Sequence, residues 1–126
     1  MKKAIATARA PQALGPYSQA VRAGNTLYLS GQLPLAPDTG AMPDGIEEQT
    51  RQAFANVREI LRAAGGQLQD VVKVTVYLKD MGDFQRVNEV YAEMFEGIYP
   101  ARSALAADLP KGASIELDVI AVLDEN

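Results

Sequence analysis

The chain is 126 residues long with a formal net charge of −4: enough for one domain with its own core, spanning residues 1–126, and too acidic for broad affinity to nucleic acid, which takes Lys and Arg gathered on one face. It contains no cysteine and no histidine, which excludes disulfides, thiolate nucleophiles, Ser-His-Asp triads, histidine general bases and nearly all zinc or iron centres. Proton transfer must fall to Glu, Asp, Lys, Tyr or water, and no metal site is expected.

Lys3 to Thr7 reads as a short first strand. Ala10 to Ser18 is a loop whose path is set by Pro11, Gly15 and Pro16. Tyr17 ends the rigid part of that loop, where its hydroxyl is either aimed at a ligand or its ring simply packs. Gln19–Ala23 and Thr26–Ser30 flank Gly24-Asn25, a hairpin signal. Gly31 closes the second of these strands, where a glycine admits close approach of another group or merely makes a turn. Pro34 to Asp44 is loop.

Apolar residues at helical spacing (Ile46, Ala53, Phe54, Val57, Ile60, Leu61, Ala64) predict a helix over about 46–64, with Asp44 and Glu47 as a capping box and Gly65-Gly66 as its stop. Val71 to Lys79 is dense in β-formers and predicts a strand. Asp80 and Asp83 cap a second helix, about Phe84 to Glu96, whose apolar face is Phe84, Val87, Tyr91, Met94 and Phe95. Asn88 lies beside that stripe, placed either at a site edge or against backbone. Gly97 ends the helix. Two strands follow, from Tyr99-Pro100-Ala101-Arg102-Ser103 and from Ile115 to Leu123, joined by a turn at Leu109-Pro110-Lys111-Gly112, with a short acidic tail after them. The order β-β-β-α-β-α-β-β predicts an α+β domain of two layers, two helices on one face of a mostly antiparallel or mixed sheet.

Arg102 and Glu116 stand near the starts of the last two strands. An arginine there offers a planar fork that grips a carboxylate, and a glutamate facing it can hold and polarise a water. The same pair also fits an ordinary cross-strand ion pair on a surface. Two helices cover only one face of the sheet, yet Val119 to Leu123 is apolar on both faces, as Val71-Val72 and Val76 to Leu78 nearly are. No element remains to cover the second face, so a homo-oligomer packed sheet to sheet is expected. Glu116 and Asp118 share that face with Ile120 and Val122, which places Glu116 at its polar end and, through desolvation, favours its neutral form.

Several stretches in order resemble the RidA/YjgF/L-PSP family of reactive intermediate deaminases: Gly15-Pro16-Tyr17-Ser18-Gln19-Ala20, Leu27 to Gln32, Glu48 to Ala53, Val72 to Leu78, Val87 to Tyr91, Tyr99 to Ser103, and Leu109 to Gly112 with Ile115-Glu116. The resemblance covers nearly the whole chain. It implies a chorismate-mutase-like fold assembled as a homotrimer with clefts between subunits. The implied reaction is cofactor-free hydrolysis of 2-imino acids and their enamine tautomers, such as 2-iminobutanoate and 2-iminopropanoate, to 2-keto acids and ammonia. Residue by residue, it implies that Arg102 clamps the substrate carboxylate, Glu116 positions the attacking water and Tyr17 enters the cleft from a neighbouring subunit. Ser30, Gly31 and Asn88 match cleft-lining positions, and Ala104 stands where many bacterial relatives carry a cysteine and the backbone N–H serves. The segment from Arg102 to Leu109-Pro110 is one residue shorter than the usual pattern, to be absorbed by a bulge or a shorter turn. Rival readings are an RNA-cleaving translation inhibitor, a non-catalytic trimeric module that captures keto acids, and a hydrolase of another small nitrogen compound. No stretch has a signal peptide's apolar region or the length to span a bilayer, so a cytoplasmic compartment is the default.

Overall fold

The computed structural model describes residues 1–124; the acidic tail expected at the chain end lies, from residue 125 on, outside the described residues. Eight elements follow the expected order: β1 (Lys2–Ile5), β2 (Ala20–Ala23), β3 (Thr26–Leu29), α1 (Ile46–Ala63), β4 (Val71–Leu78), α2 (Phe84–Met94), β5 (Ala101–Ala106) and β6 (Ile115–Val122). The strands form one mixed sheet in the order β1-β2-β3-β6-β4-β5. Among the described residues only the β4–β5 pair is parallel, because α2 is the crossover that carries the chain back to the start of its neighbour. The fold is therefore α+β in two layers.

Both helices pack on one face of the sheet. The stripe Phe54, Val57, Ile60 and Leu61 of α1 is fully buried, each side chain contributing about 1.5–3 kcal/mol of hydrophobic stabilisation. It meets Val74, Val76 and Leu78 of β4 and Ile115, Leu117 and Val119 of β6 in a single core. Val90 belongs to the buried side of α2 as well, an addition to the expected stripe. The opposite sheet face bears Tyr28, Tyr77, Leu105, Ile120 and Val122 and carries no helix among the described residues. It is the under-covered face anticipated from the doubly apolar strands.

Three expectations need correction. Asp44 does not cap α1: Gly45, at φ 87, holds the cap position, and among the described residues no side-chain cap bond is made there. Asp80 caps the short 3-10 turn before α2, accepting from the Gly82 N–H at 2.8 Å, whereas Asp83 makes no side-chain cap bond. Most consequential, β5 and β6 are not partners. β4 lies between them, so Arg102 and Glu116 form no cross-strand pair. The stop of α1 is as expected: Gly65, at φ 85, and Gly66 return their N–H groups to the Arg62 and Leu61 carbonyls, closing the helix with a glycine-dependent motif.

The stretch after Arg102, expected to be one residue short, leaves β5 intact. Its register against β4 is unbroken from Ala101 to Ala106, so no slip moves Arg102 to another face. The chain turns instead beyond Ala106, through a 3-10 turn at Pro110–Gly112 in which Lys111 adopts φ 59.

Candidate active site

Strand register decides where the two charged candidates point. Arg102 is opposite Val74 in a parallel pair, and Val74 is buried against the helices; neighbours across a ladder share a face, so Arg102 projects toward α2. There its Nη1 donates to Asn88 Oδ1 at 2.6 Å, and its guanidinium carbon lies over the Phe84 and Tyr91 rings at 5.1 and 4.8 Å from their centroids. Glu116 is opposite Tyr77, on the under-covered face. Within one chain the two are thus separated by the sheet itself.

Glu116 has its own surroundings. Backbone bonds between Gln32 and Leu117, 2.6 Å and 3.1 Å, clip the chain just after β3 onto β6. That clip lays Gly31 against Glu116 so closely that a Cβ at position 31 would sit 2.9 Å from the Glu116 Cδ and overlap the carboxyl. Burial pushes the Glu116 pKa up from its ordinary value, and the Asp118 carboxylate two residues on adds to the rise. Asp118 accepts the Tyr77 hydroxyl at 2.8 Å. That bond, more than burial, raises the Tyr77 pKa in turn.

Tyr17 stands on the same side as Gly31 along one cleft of about 480 Å³, also lined by Leu14, Leu33 and Lys111. The residue is 54% exposed and its backbone N–H donates to the Gly15 carbonyl in a tight turn at 2.8 Å. Ser30 ties this loop to β3: its hydroxyl donates to the Ser18 carbonyl at 2.6 Å and its N–H to the Gln19 carbonyl at 2.9 Å. Arg102 and Asn88 line a different cleft, of about 440 Å³, with Tyr91, Tyr99 and Pro100. Ala104 is two residues along β5 from Arg102, half-buried on the helix side. The candidates fall into two groups: Tyr17, Ser30, Gly31 and Glu116 in one, Asn88, Arg102 and Ala104 in the other.

Some contributors were not singled out from the sequence. Gln19 is buried and its side-chain amide bonds the Thr7, Ala10 and Pro11 backbone, which fixes the loop that presents Tyr17. Phe84 and Tyr91 were read only as core. Their spacing from Asn88, i, i+4 and i+7 on one helix face, was the available signal for their contact with Arg102.

The family model for endoribonuclease L-PSP matches residues 7–123. A RutC family protein of Pyrococcus horikoshii is 54% identical over 123 residues, covering 96% of this chain and 98% of the relative. The 2-iminobutanoate/2-iminopropanoate deaminase of Bos taurus is 49% identical over 124 residues, covering 97% of this chain and 90% of the relative. Among solved structures, RidA from an Antarctic Psychrobacter superposes with a TM-score of 0.93 at 45% identity, covering 96% of this chain and 99% of that one. A family model matched almost end to end, together with relatives at such identity over nearly their full length, means that the chain belongs to the RidA/YjgF/L-PSP family.

Proposed function

We propose that the protein hydrolyses small 2-imino acids and their enamine tautomers to 2-keto acids and ammonia, at clefts each built from two copies of the chain in a homotrimer. The observation that carries this reading is the split of the site. A free, braced arginine and a desolvated glutamate stand on opposite faces of one sheet, and a neighbouring copy laid on the under-covered face is what brings the two groups together. The deaminase name borne by relatives at about half identity supports the chemistry.

In this reading the Arg102 fork takes the substrate carboxylate in charge-assisted hydrogen bonds. The protonated imine carbon is already electrophilic. Glu116 of the adjoining copy takes a proton from water as the oxygen attacks carbon and returns it to nitrogen; as the carbon–nitrogen bond breaks it takes the hydroxyl proton, so that the carbonyl forms, and passes it to the departing ammonia as ammonium. One water is consumed, and keto acid and ammonia leave with no redox step. Tyr17, on the Glu116 side, closes the cleft over the reacting carbon. The single-domain chain needs no cofactor for any of these steps. The test is imine decay: a threonine dehydratase generates 2-iminobutanoate in situ, and release of 2-oxobutanoate is followed with a trapping amine in competition. Release faster than in buffer supports the reading; release at the buffer rate sinks it for this substrate.

Two further outcomes are expected. Gly31→Ala inserts a methyl where the Glu116 carboxyl stands. The displaced group is the end of a flexible side chain, so stability changes by about 1 kcal/mol or less, while turnover falls about 10²-fold because the base is misplaced. Paired melting and rate measurements check this, and unchanged turnover would remove Glu116 from the reaction. Asp118→Asn deletes a negative charge that raises the Glu116 pKa. The ionised carboxylate is then favoured, so the acidic limb of the kcat/KM profile moves to lower pH; a limb that stays in place or moves up contradicts the assignment of Glu116 as the base.

The family description as an endoribonuclease motivates one comparison: RNA binding measured against salt. The net charge of −4 and the absence of histidine predict no binding with a steep salt dependence.

A further inference from the structure

Arg102 is exposed on an edge strand, and an exposed arginine ordinarily samples many rotamers. A carboxylate that recruits such a side chain must also order it, which weakens binding. Here the ordering is built in. Phe84, Asn88 and Tyr91 lie at i, i+4 and i+7 along α2, one helix face, and all three touch the guanidinium. Asn88 Oδ1 accepts from Nη1 at 2.6 Å, and the guanidinium carbon lies 5.1 Å from the Phe84 centroid and 4.8 Å from that of Tyr91, both inside the reach of about 6 Å for a cation over a ring.

The partners are uniformly neutral. Among the described residues no carboxylate stands within salt-bridge distance of Arg102, so the side chain is held without its charge being neutralised. A carboxylate at position 88 would hold it equally well and cancel it. The platform is also anchored. Tyr91 is 5% exposed and packs edge-on to the fully buried Phe54 at 5.7 Å and against Phe95 at 5.1 Å, so the surface under the guanidinium is continuous with the core. The Tyr91 hydroxyl is buried and makes no hydrogen bond among the described residues. Its ring is therefore the part that acts on Arg102.

We propose that Phe84 and Tyr91 are positioning residues. With the Asn88 side-chain oxygen they hold the Arg102 guanidinium in one orientation, charged and unpaired, ready for the carboxylate of a small 2-keto or 2-imino acid. The proposal rests on Arg102 being the carboxylate clamp, and it extends the site to two aromatic residues that act through Arg102.

The test is a nuclear magnetic resonance titration with 2-oxobutanoate, which offers the carboxylate without turnover, run beside imine kinetics. Phe84→Leu and Tyr91→Leu keep apolar volume but remove the ring, and each is expected to weaken binding about tenfold, with the kinetic loss falling on KM more than on kcat. Tyr91→Phe keeps the ring and is expected to bind within about twofold of the unmodified protein. Asn88→Asp, an isosteric change at a half-buried position, is expected to weaken binding about tenfold by pairing the guanidinium internally. The proposal is overturned if folded leucine variants bind as the unmodified protein does, if Tyr91→Phe loses as much as Tyr91→Leu, or if the unmodified protein does not bind the keto acid. Should the binding series hold while imine decay matches buffer, the deaminase reading fails and the positioning role stands.

Discussion

Arg102→Ala is expected to lower kcat/KM for 2-iminobutanoate by about 10²–10⁴-fold, two charge-assisted bonds of roughly 1.5–3 kcal/mol each being lost at about 1.4 kcal/mol per decade. The whole loss should appear as function. Arg102 is exposed, and its contacts are one hydrogen bond and two ring faces, so the melting temperature should hold within a few degrees while Asn88, Phe84 and Tyr91 stay in place. Arg102→Lys should recover only part of the rate, because a single ammonium offers neither the planar fork nor the two parallel donors. Imine decay under trapping conditions measures all three proteins, and an Arg102→Ala rate equal to that of the unmodified protein would separate this arginine from the substrate.

Glu116→Gln is the second large effect. The change keeps shape and removes the basic oxygen, so kcat is expected to fall about 10²–10⁴-fold, the usual contribution of a positioned acid–base group, with KM moving little because the proposed carboxylate clamp, Arg102, is a different residue. Stability should respond in the opposite sense. The folded-state pKa of Glu116 is raised by burial and by Asp118, so the folded protein favours the protonated form. Stability is then highest below the ordinary carboxylate pKa and declines as pH rises through the raised one. Glu116→Gln removes that decline. A variant that melts at or above the temperature of its parent at neutral pH yet has lost that much of its turnover is the expected combination; one that keeps its turnover would mean that another group activates water.

The chain wrote its elements plainly and its assembly less so. The periodicity of Ile46, Ala53, Phe54, Val57, Ile60 and Leu61 leaves little choice but a helix, and the Gly24-Asn25 hairpin and the β-branched run at Val71 are local signals that the structure repeats. The doubly apolar run Val119 to Leu123 pointed to a sheet face needing cover, and that face is the one without a helix. Sheet order is a different matter. Two strands joined by a turn are ordinarily neighbours, yet β6 passes β5 and inserts between β4 and β3. That choice is made by long-range contacts: Leu117 and Val119 complete the core under α1, and no short-range pattern encodes it. The consequence for the site is large. Arg102 and Glu116 could be named from residue type and resemblance, but their separation onto opposite faces follows only from the register of β4 with both neighbours. The cap of α1 was misread for a smaller reason: the helix starts at Ile46 as expected, but Asp44 is one residue too early, and a glycine with positive φ took the cap.

In the proposed assembly one working cleft takes Arg102 from one copy and Glu116 from another. Mixing tests it most directly. Arg102→Ala and Glu116→Gln chains, each inactive alone, are denatured together in equal amounts and refolded, and imine decay is measured against each variant refolded by itself. Random assembly into a closed ring gives each cleft an even chance of an intact arginine and an even chance of an intact glutamate, so about a quarter of the clefts carry both. The mixture is expected to regain about a quarter of the turnover of the unmodified protein. A mixture that stays at the level of its two parents would contradict it.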